Sequence, residues 1–465
     1  MKTELCEHIL KRAKDKETTG CELLWRRDES IAMKSAGEGK INSVTHSNRA
    51  VVGVRIIKDH RVGISYSEAM DVESLDCMLD EAINNSRFLD SKEYEVIDVG
   101  SDSGGINSFG LMNFSELNND ELFAKESEWD NQEALLQKMQ EMTLFMESEI
   151  RARSALVSSI PYNSVNKVIS EFVVANSLGI HRQSRRKFYT AHTGAVLKRS
   201  NTIAGFWENH LSRRLRDVDL EYCLKQSLQR ANDILDARPI PTGNYQVVFS
   251  PETLGTLFDC FSIIFSSKAS LEGHNPFKDK LGTSVANQEL TISDRPLYPA
   301  GLAYSLFDDE GMMRKDMPLI ERGILKNFYF NSATARYFKS KNNGFARRSP
   351  RGALDVSGQQ QYISPGRENN SNLLNDCFYI IKLEGIHAGA NPVSGEFSFP
   401  AQGYLYNSRG EVTQSVRSVT VAGNFYQMLS QIEAIGNQVE RSSTGDFFAP
   451  KIRFKGLKIG SDTKN

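Results

Sequence analysis

One unit occurs twice in the first half of the chain, and it restricts the folds open to it. Segments 51–57 and 62–66 are rich in β-branched residues and are joined through a polar turn at 58–61. A helix follows, with Leu75, Met78, Leu79, Ala82 and Ile83 at helical spacing. Asp71 stands before it, where a carboxylate can accept hydrogen bonds from the free N–H groups of the first turn. The same order returns at 171–175, 195–197 and 203–207, then at a helix carrying Leu220, Leu224, Leu228, Ala231 and Leu235 behind Asp217. Even the helix starts match in letters, Asp71-Val72-Glu73 against Asp217-Val218-Asp219. A hairpin-plus-helix unit used twice predicts a mixed α/β domain with an internal repeat. Segments 21–25 and 30–34 add two short candidate strands.

Between the repeats, residues 90–130 are polar and strongly acidic and read as a loop or insertion. The helix after it carries Leu135, Leu136, Met139, Met142, Leu144, Phe145 and Met146, a stripe expected in a core. Two prolines and a glycine at 238–243 punctuate the chain. The expected domains are therefore residues 1–237 and residues 244–465. The second opens with a strand at 245–249 and a helix announced by Ser250 and Pro251, with Leu254, Leu257, Phe258, Phe261 and Phe265 on one face. Short strands and glycine turns follow, including hairpins at 319–330 and around 407–410. This predicts an α+β protein whose second domain is a largely antiparallel, barrel-like sheet with a few helices.

At 40% apolar and 25% charged residues, 465 residues can bury a sizeable core. A net charge of −2 gives no overall pull toward nucleic acid or an acidic membrane. The six cysteines, Cys6, Cys21, Cys77, Cys223, Cys260 and Cys377, form no CxxC pair and read as buried reduced thiols. The first sixteen residues are too charged for a signal peptide, and no apolar run reaches the roughly 20 residues that span a bilayer. The expected location is the cytoplasm.

Motifs that carry their own mechanism are missing. None of the eight histidines is followed by Glu, so the helical zinc motifs cannot begin. There is no GxSxG elbow and no P-loop, and Asn42 stands where a dinucleotide motif at Gly37-Glu38-Gly39 needs its third glycine. Asp308-Asp309-Glu310-Gly311 could hold a hard cation, but without further ligands at spaced positions it reads rather as a turn whose Asp side chains bond its own backbone. Basic residues cluster at Arg182, Arg185, Arg186 and Lys187, at Arg213, Arg214 and Arg216, and at Arg347, Arg348 and Arg351. They could hold nucleic acid or an acidic peptide, but with net charge near zero they read rather as solvated strand faces or loops.

An ordered series of blocks runs through the second half. It comprises 290–296, Phe307 to Gly311, 319–325, 333–336, 394–398, 419–424 and 435–437. Together with Gly53 to Ile57, Val62-Gly63 and Pro241-Thr242-Gly243, these resemble the TldD/PmbA proteins, once described as modulators of DNA gyrase. The resemblance implies a metallopeptidase-related fold. TldD-type subunits carry an HExxxH helix and a distant C-terminal cysteine ligand. Registered on Leu271-Glu272-Gly273, those positions fall here on Ile264, Phe265 and Ala269, none of which can ligate a metal. Residues 442–446 hold no cysteine, and Cys377 is the last one in the chain. The resemblance therefore implies a PmbA/TldE-like subunit with no cofactor of its own. Its expected partner is an HExxxH subunit carrying zinc, in a heterodimer that encloses peptide; a homodimer is the other arrangement. Expected chamber or substrate contacts are His274, Asp308, Asp309, Glu310, Arg347, Arg348 and His387. The Leu-Glu-Gly run and Gly344-Phe345-Ala346-Arg347-Arg348 are closer to TldD and point to a divergent pair serving one modified-peptide pathway. Two alternatives stand beside this: a peptidase using His274, His387 and the Asp308 to Glu310 carboxylates, and a DNA- or gyrase-associated binding protein.

Overall fold

The computed structural model describes residues 1–98 and 131–461, so most of the acidic stretch lies outside the described residues. The first half reads α1 (Thr3–Asp15), β1 (Gly20–Ser35), β2 (Ile41–Lys58), β3 (Arg61–Ser67) and α2 (Val72–Ser86). After the acidic stretch the order recurs as α3 (Gln132–Arg153), β4 (Val157–Ser159), β5 (Asn163–Asn176), β6 (His181–Arg199), β7 (Thr202–Ser212) and α4 (Leu220–Leu235). All pairings in this seven-stranded sheet are antiparallel, in the order β3-β2-β1-β5-β6-β4, with β7 also on β6. The two halves meet where β1 pairs with β5, from Glu22 opposite Asn176 to Ser35 opposite Asn163.

Side-chain alternation assigns the two sheet faces. Cys21, Leu23, Val54 and Val173 pack under α1 and α2, while Ile31, Met33 and Val165 pack under α3 and α4. All four helices thus lie on one face. The other face presents Glu22, Leu24, Arg55 and Val174 to the second domain, where Leu24 and Val174 meet Phe307.

Three local expectations are corrected. Segments 21–25 and 30–34 belong to one continuous strand, β1, because its paired neighbours on both sides leave no break in the ladder. The cap of α4 is Asp219, whose side chain accepts from Tyr222 N, and Asp217 sits in a preceding 3-10 turn. In α3, Met139, Met142 and Met146 are buried but Phe145 is exposed. Cys6, Cys21, Cys223 and Cys377 are buried free thiols, Cys260 is half-buried and Cys77 is exposed.

The second domain opens with β8 (Gly243–Phe249) and a ten-stranded sheet that curls on itself. Strand Phe447–Ser461 pairs with Val412–Asn424 and also with β8, and β8 pairs with Phe378–Leu383. With Glu396–Tyr406 between its neighbours, this path closes into a five-stranded barrel, antiparallel except at β8 and Phe378–Leu383. Phe249, Phe258, Phe399, Phe425 and Phe454 are among the residues filling its core. Helix α5 (Pro251–Cys260) is capped by Ser250, which accepts from Thr253 N, and has Pro251 in its first turn. No helix among the described residues is long and apolar enough to cross a membrane.

Candidate functional site

The positions that the resemblance registers on the HExxxH motif lie just beyond α5. The apolar face expected to run on to Phe265 is interrupted, because the helix ends at Cys260. A 3-10 turn, Ser262–Phe265, and a short helix α6 (Ser267–Leu271) replace its continuation. Competing donors explain the break. Asn275 Nδ2 donates to the carbonyls of Ile264 and Ser266 at 3.2 and 3.1 Å, and Tyr329 N takes the Phe265 carbonyl at 2.7 Å. Ile264 and Phe265 are fully buried and Ala269 nearly so, and the Phe265 ring meets Tyr329 edge-on at 6.1 Å. A metal with its coordinated water does not fit here, since every side chain at these positions is apolar. Among the described residues no cluster of three or more His, Cys, Asp or Glu side chains is placed to hold a metal ion.

The acidic block at 308–310 is a turn, and it also fastens the two domains. Asp308 Oδ1 accepts from Glu310 N and Met312 N at 3.0 and 2.8 Å, and its Oδ2 accepts from Ala346 N at 2.9 Å. Gly311 has φ of 85°, which a side chain would strain. Asp309 Oδ2 accepts from Arg348 N at 2.8 Å. Glu310 accepts from Ser332 N at 2.8 Å and from the Ser332 hydroxyl, and lies 3.8 Å from Arg55 on β2. Burial pushes the Glu310 carboxyl up, with Glu22 adding to the shift and Arg55 opposing it. Arg55 itself pairs with Glu95 at 2.8 Å. Arg348 and Glu22 form a fully buried ion pair at 2.9 Å without an aligned hydrogen bond. Losing one partner of such a pair leaves a buried charge and costs roughly 3–5 kcal/mol. Close backbone approach completes the junction: a Cβ on Gly53 of β2 would stand 1.7 Å from the Pro350 carbonyl oxygen.

The structure separates the remaining expected contacts. His274 follows α6 and His387 follows Phe378–Leu383; both are exposed, and they join no group with the sealed carboxylates of Asp308 and Glu310. The peptidase alternative built on those residues therefore has no assembled site. Arg347 and Arg348 do converge with other residues, at a cavity of about 190 Å³ between the sheet and the second domain. Arg26 of β1, Arg186 of β6 and Arg314 also line it. Of the basic clusters noted in the sequence, Arg185 instead pairs with Glu171, Arg213 binds the carbonyls of Pro299 and Gly301, and Arg351 pairs with Glu68. Arg26 and Arg314 were not singled out in the sequence. The alternation Ser184, Arg186, Phe188 turns one face of β6 to the cavity, but neither Arg26 nor Arg314 lies on that strand.

Comparison with known proteins follows the same lines. The PmbA/TldA metallopeptidase C-terminal domain matches residues 242–461, and PmbA/TldA metallopeptidase domain 1 matches residues 35–86. A metalloprotease of Methanocaldococcus jannaschii is 29% identical over 233 residues, 49% of this chain and 51% of the relative. The matched stretch thus spans about half of that relative's length. Two solved structures share the fold. TldE from Thermococcus kodakarensis has a TM-score of 0.81 at 20% identity, covering 98% of this chain and 100% of its own. A candidate modulator of a DNA gyrase from Thermotoga maritima has a TM-score of 0.81 at 23% identity, covering 98% and 99%.

Proposed function

Because this chain belongs to the PmbA/TldD family, we propose that it is the non-catalytic subunit of a two-chain metallopeptidase acting in peptide maturation or degradation. The observation that carries this reading is that Ile264 and Phe265, the positions the resemblance aligns with the family's ligands, are buried in the second domain's core. Hydrolysis by a metallopeptidase needs a metal to polarise the carbonyl and activate water, with a nearby base. In this reading those groups come from an HExxxH partner carrying zinc, and this chain contributes fold and peptide-holding surface. A peptide strand can be held at an open sheet edge through main-chain hydrogen bonds. The reading places the complex in the cytoplasm.

The test is co-elution followed by metal analysis. Expressed with an HExxxH chain from the same genome, this chain should elute as a mixed complex with zinc that follows the partner. Separate elution of the two chains, or a stoichiometric zinc retained by this chain alone, would overturn the proposal.

A further inference from the structure

The cavity between the sheet and the second domain holds more positive charge than its surroundings neutralise. Five guanidinium groups line it, Arg26, Arg186, Arg314, Arg347 and Arg348, against the two carboxylates of Glu171 and Asp309. Both carboxylates are already engaged. Glu171 pairs with Arg27 and Arg185, and Asp309 accepts from the Arg348 backbone and lies 3.8 Å from Arg347. Arg26 is tied to Asp28 and Arg348 to Glu22.

Two arginines are left over. The Arg186 side chain has neither a hydrogen bond nor an ion pair among the described residues. Arg314 is buried, donates through Nε to the Phe307 carbonyl at 3.2 Å, and has no acceptor for Nη1. Nε and Nη1 of the buried Arg348 also lack acceptors. Burial pushes the Arg186 guanidinium down to about 10; Arg314, Arg347 and Arg26 add to this and Asp309 opposes it. Crowding like charges at a half-buried position destabilises a fold unless an anion enters among them. Arginine forks match the two oxygens of a carboxylate.

Beside the charged groups the wall carries Leu24, Phe172, Phe188, Phe307 and Pro350, with Phe172 and Phe307 stacked at 6.0 Å, and the polar side chains of Ser170, Ser184, Ser305 and Gln359. A site of about 190 Å³ is smaller than the roughly 300–1,000 Å³ of pockets that enclose a whole small molecule. It suits an end group, with a carboxylate at the arginines and a short apolar body on the rings.

We propose that this junction cavity is a carboxylate-binding site that receives the free C-terminus of a peptide ending in an apolar residue. The peptide assignment rests on the function proposed above, while the anion site stands on the arginines alone. Arg186 reaches the ligand from β6, and Arg314 and Arg347 reach it from the second domain, so occupancy clamps the junction.

The test uses the full chain and three probes: N-acetyl-Ala-Phe as the free acid, the same dipeptide as its C-terminal amide, and inorganic phosphate. The free acid should raise the melting temperature and bind at least roughly tenfold more tightly than the amide in calorimetry, with affinity falling as salt rises. Arg186→Gln should melt at or above the unliganded wild type, because like-charge crowding is relieved, and should lose the response to the acid. Equal binding of acid and amide, stabilisation by phosphate but not by the acid, a full response in Arg186→Gln, or a lower unliganded melting temperature in that variant would each overturn the proposal. The assay needs no partner chain. Failure here leaves the two-chain reading standing, and failure of co-elution leaves the anion site standing.

Discussion

At the scale of single residues, the filled site and one buried acid make separable predictions. Phe265→Glu places a carboxylate among core rings, and Ile264→His places an imidazole there, at positions with no exposed surface. Each should destabilise the fold by roughly 3 kcal/mol or more, with the carboxylate worse. Unchanged denaturation midpoints for both would show that these positions are not core. Asp294 tests the polar side of the same domain. It is fully buried, accepts from Tyr329 Oη at 2.9 Å and from Gln359 N and Gln360 N at 2.8 and 3.2 Å, and burial still pushes its carboxyl up to about 6. Between about pH 4 and pH 6 the folded chain then binds more protons than the unfolded one, so this group's contribution falls as pH rises. Relative to Asp294→Asn, the wild type should lose on the order of 2–3 kcal/mol across that window. A wild-type-minus-variant difference that stays constant with pH would contradict this.

Elements show where local sequence sufficed and where it did not. The repeat was legible because each half carries its own periodicity, and α2 begins behind Asp71 as the letters suggested, with Asp71 accepting from Ser74 N. The matching letters misplaced the second cap. The 3-10 turn Leu215–Asp217 consumes residues before α4, and only Asp219 has its side chain on a free N–H. Asp219→Ala should therefore cost about 1 kcal/mol, and Asp217→Ala close to nothing, since among the described residues the Asp217 side chain makes only long contacts of 3.9 and 4.0 Å. Urea denaturation of the two variants checks this, and equal losses would contradict it. The break after α5 was illegible for a different reason. The donors that capture the carbonyls of Ile264, Phe265 and Ser266 come from Asn275 and Tyr329, 9 to 64 residues further on in the sequence. The arginine cavity was half-legible: Arg347 and Arg348 were expected near substrate, but their company on β1 and β6 depends on how the domains meet.

Across the whole molecule, the two domains are held together at a polar junction. Glu22, Arg55 and Glu95 from the first domain meet Glu310 and Arg348 from the second, and Gly53 lets β2 lie against Pro350. Glu310 serves that junction through Arg55, while Asp308 bonds within the second domain; each of their oxygens accepts a hydrogen bond. In the function proposed above, this chain supplies surface and shape to a complex, and bond cleavage is left to the other chain. Peptidase activity of the reconstituted pair tests that division most directly. Mixing this chain with its HExxxH partner should produce cleavage that neither chain shows alone and that a chelator abolishes. Replacing the Glu of the partner's motif by Gln should abolish it as well, whereas His274→Ala or His387→Ala in this chain should leave it within about twofold. Chelator-sensitive cleavage by this chain alone, lost in His274→Ala or His387→Ala, would contradict the account.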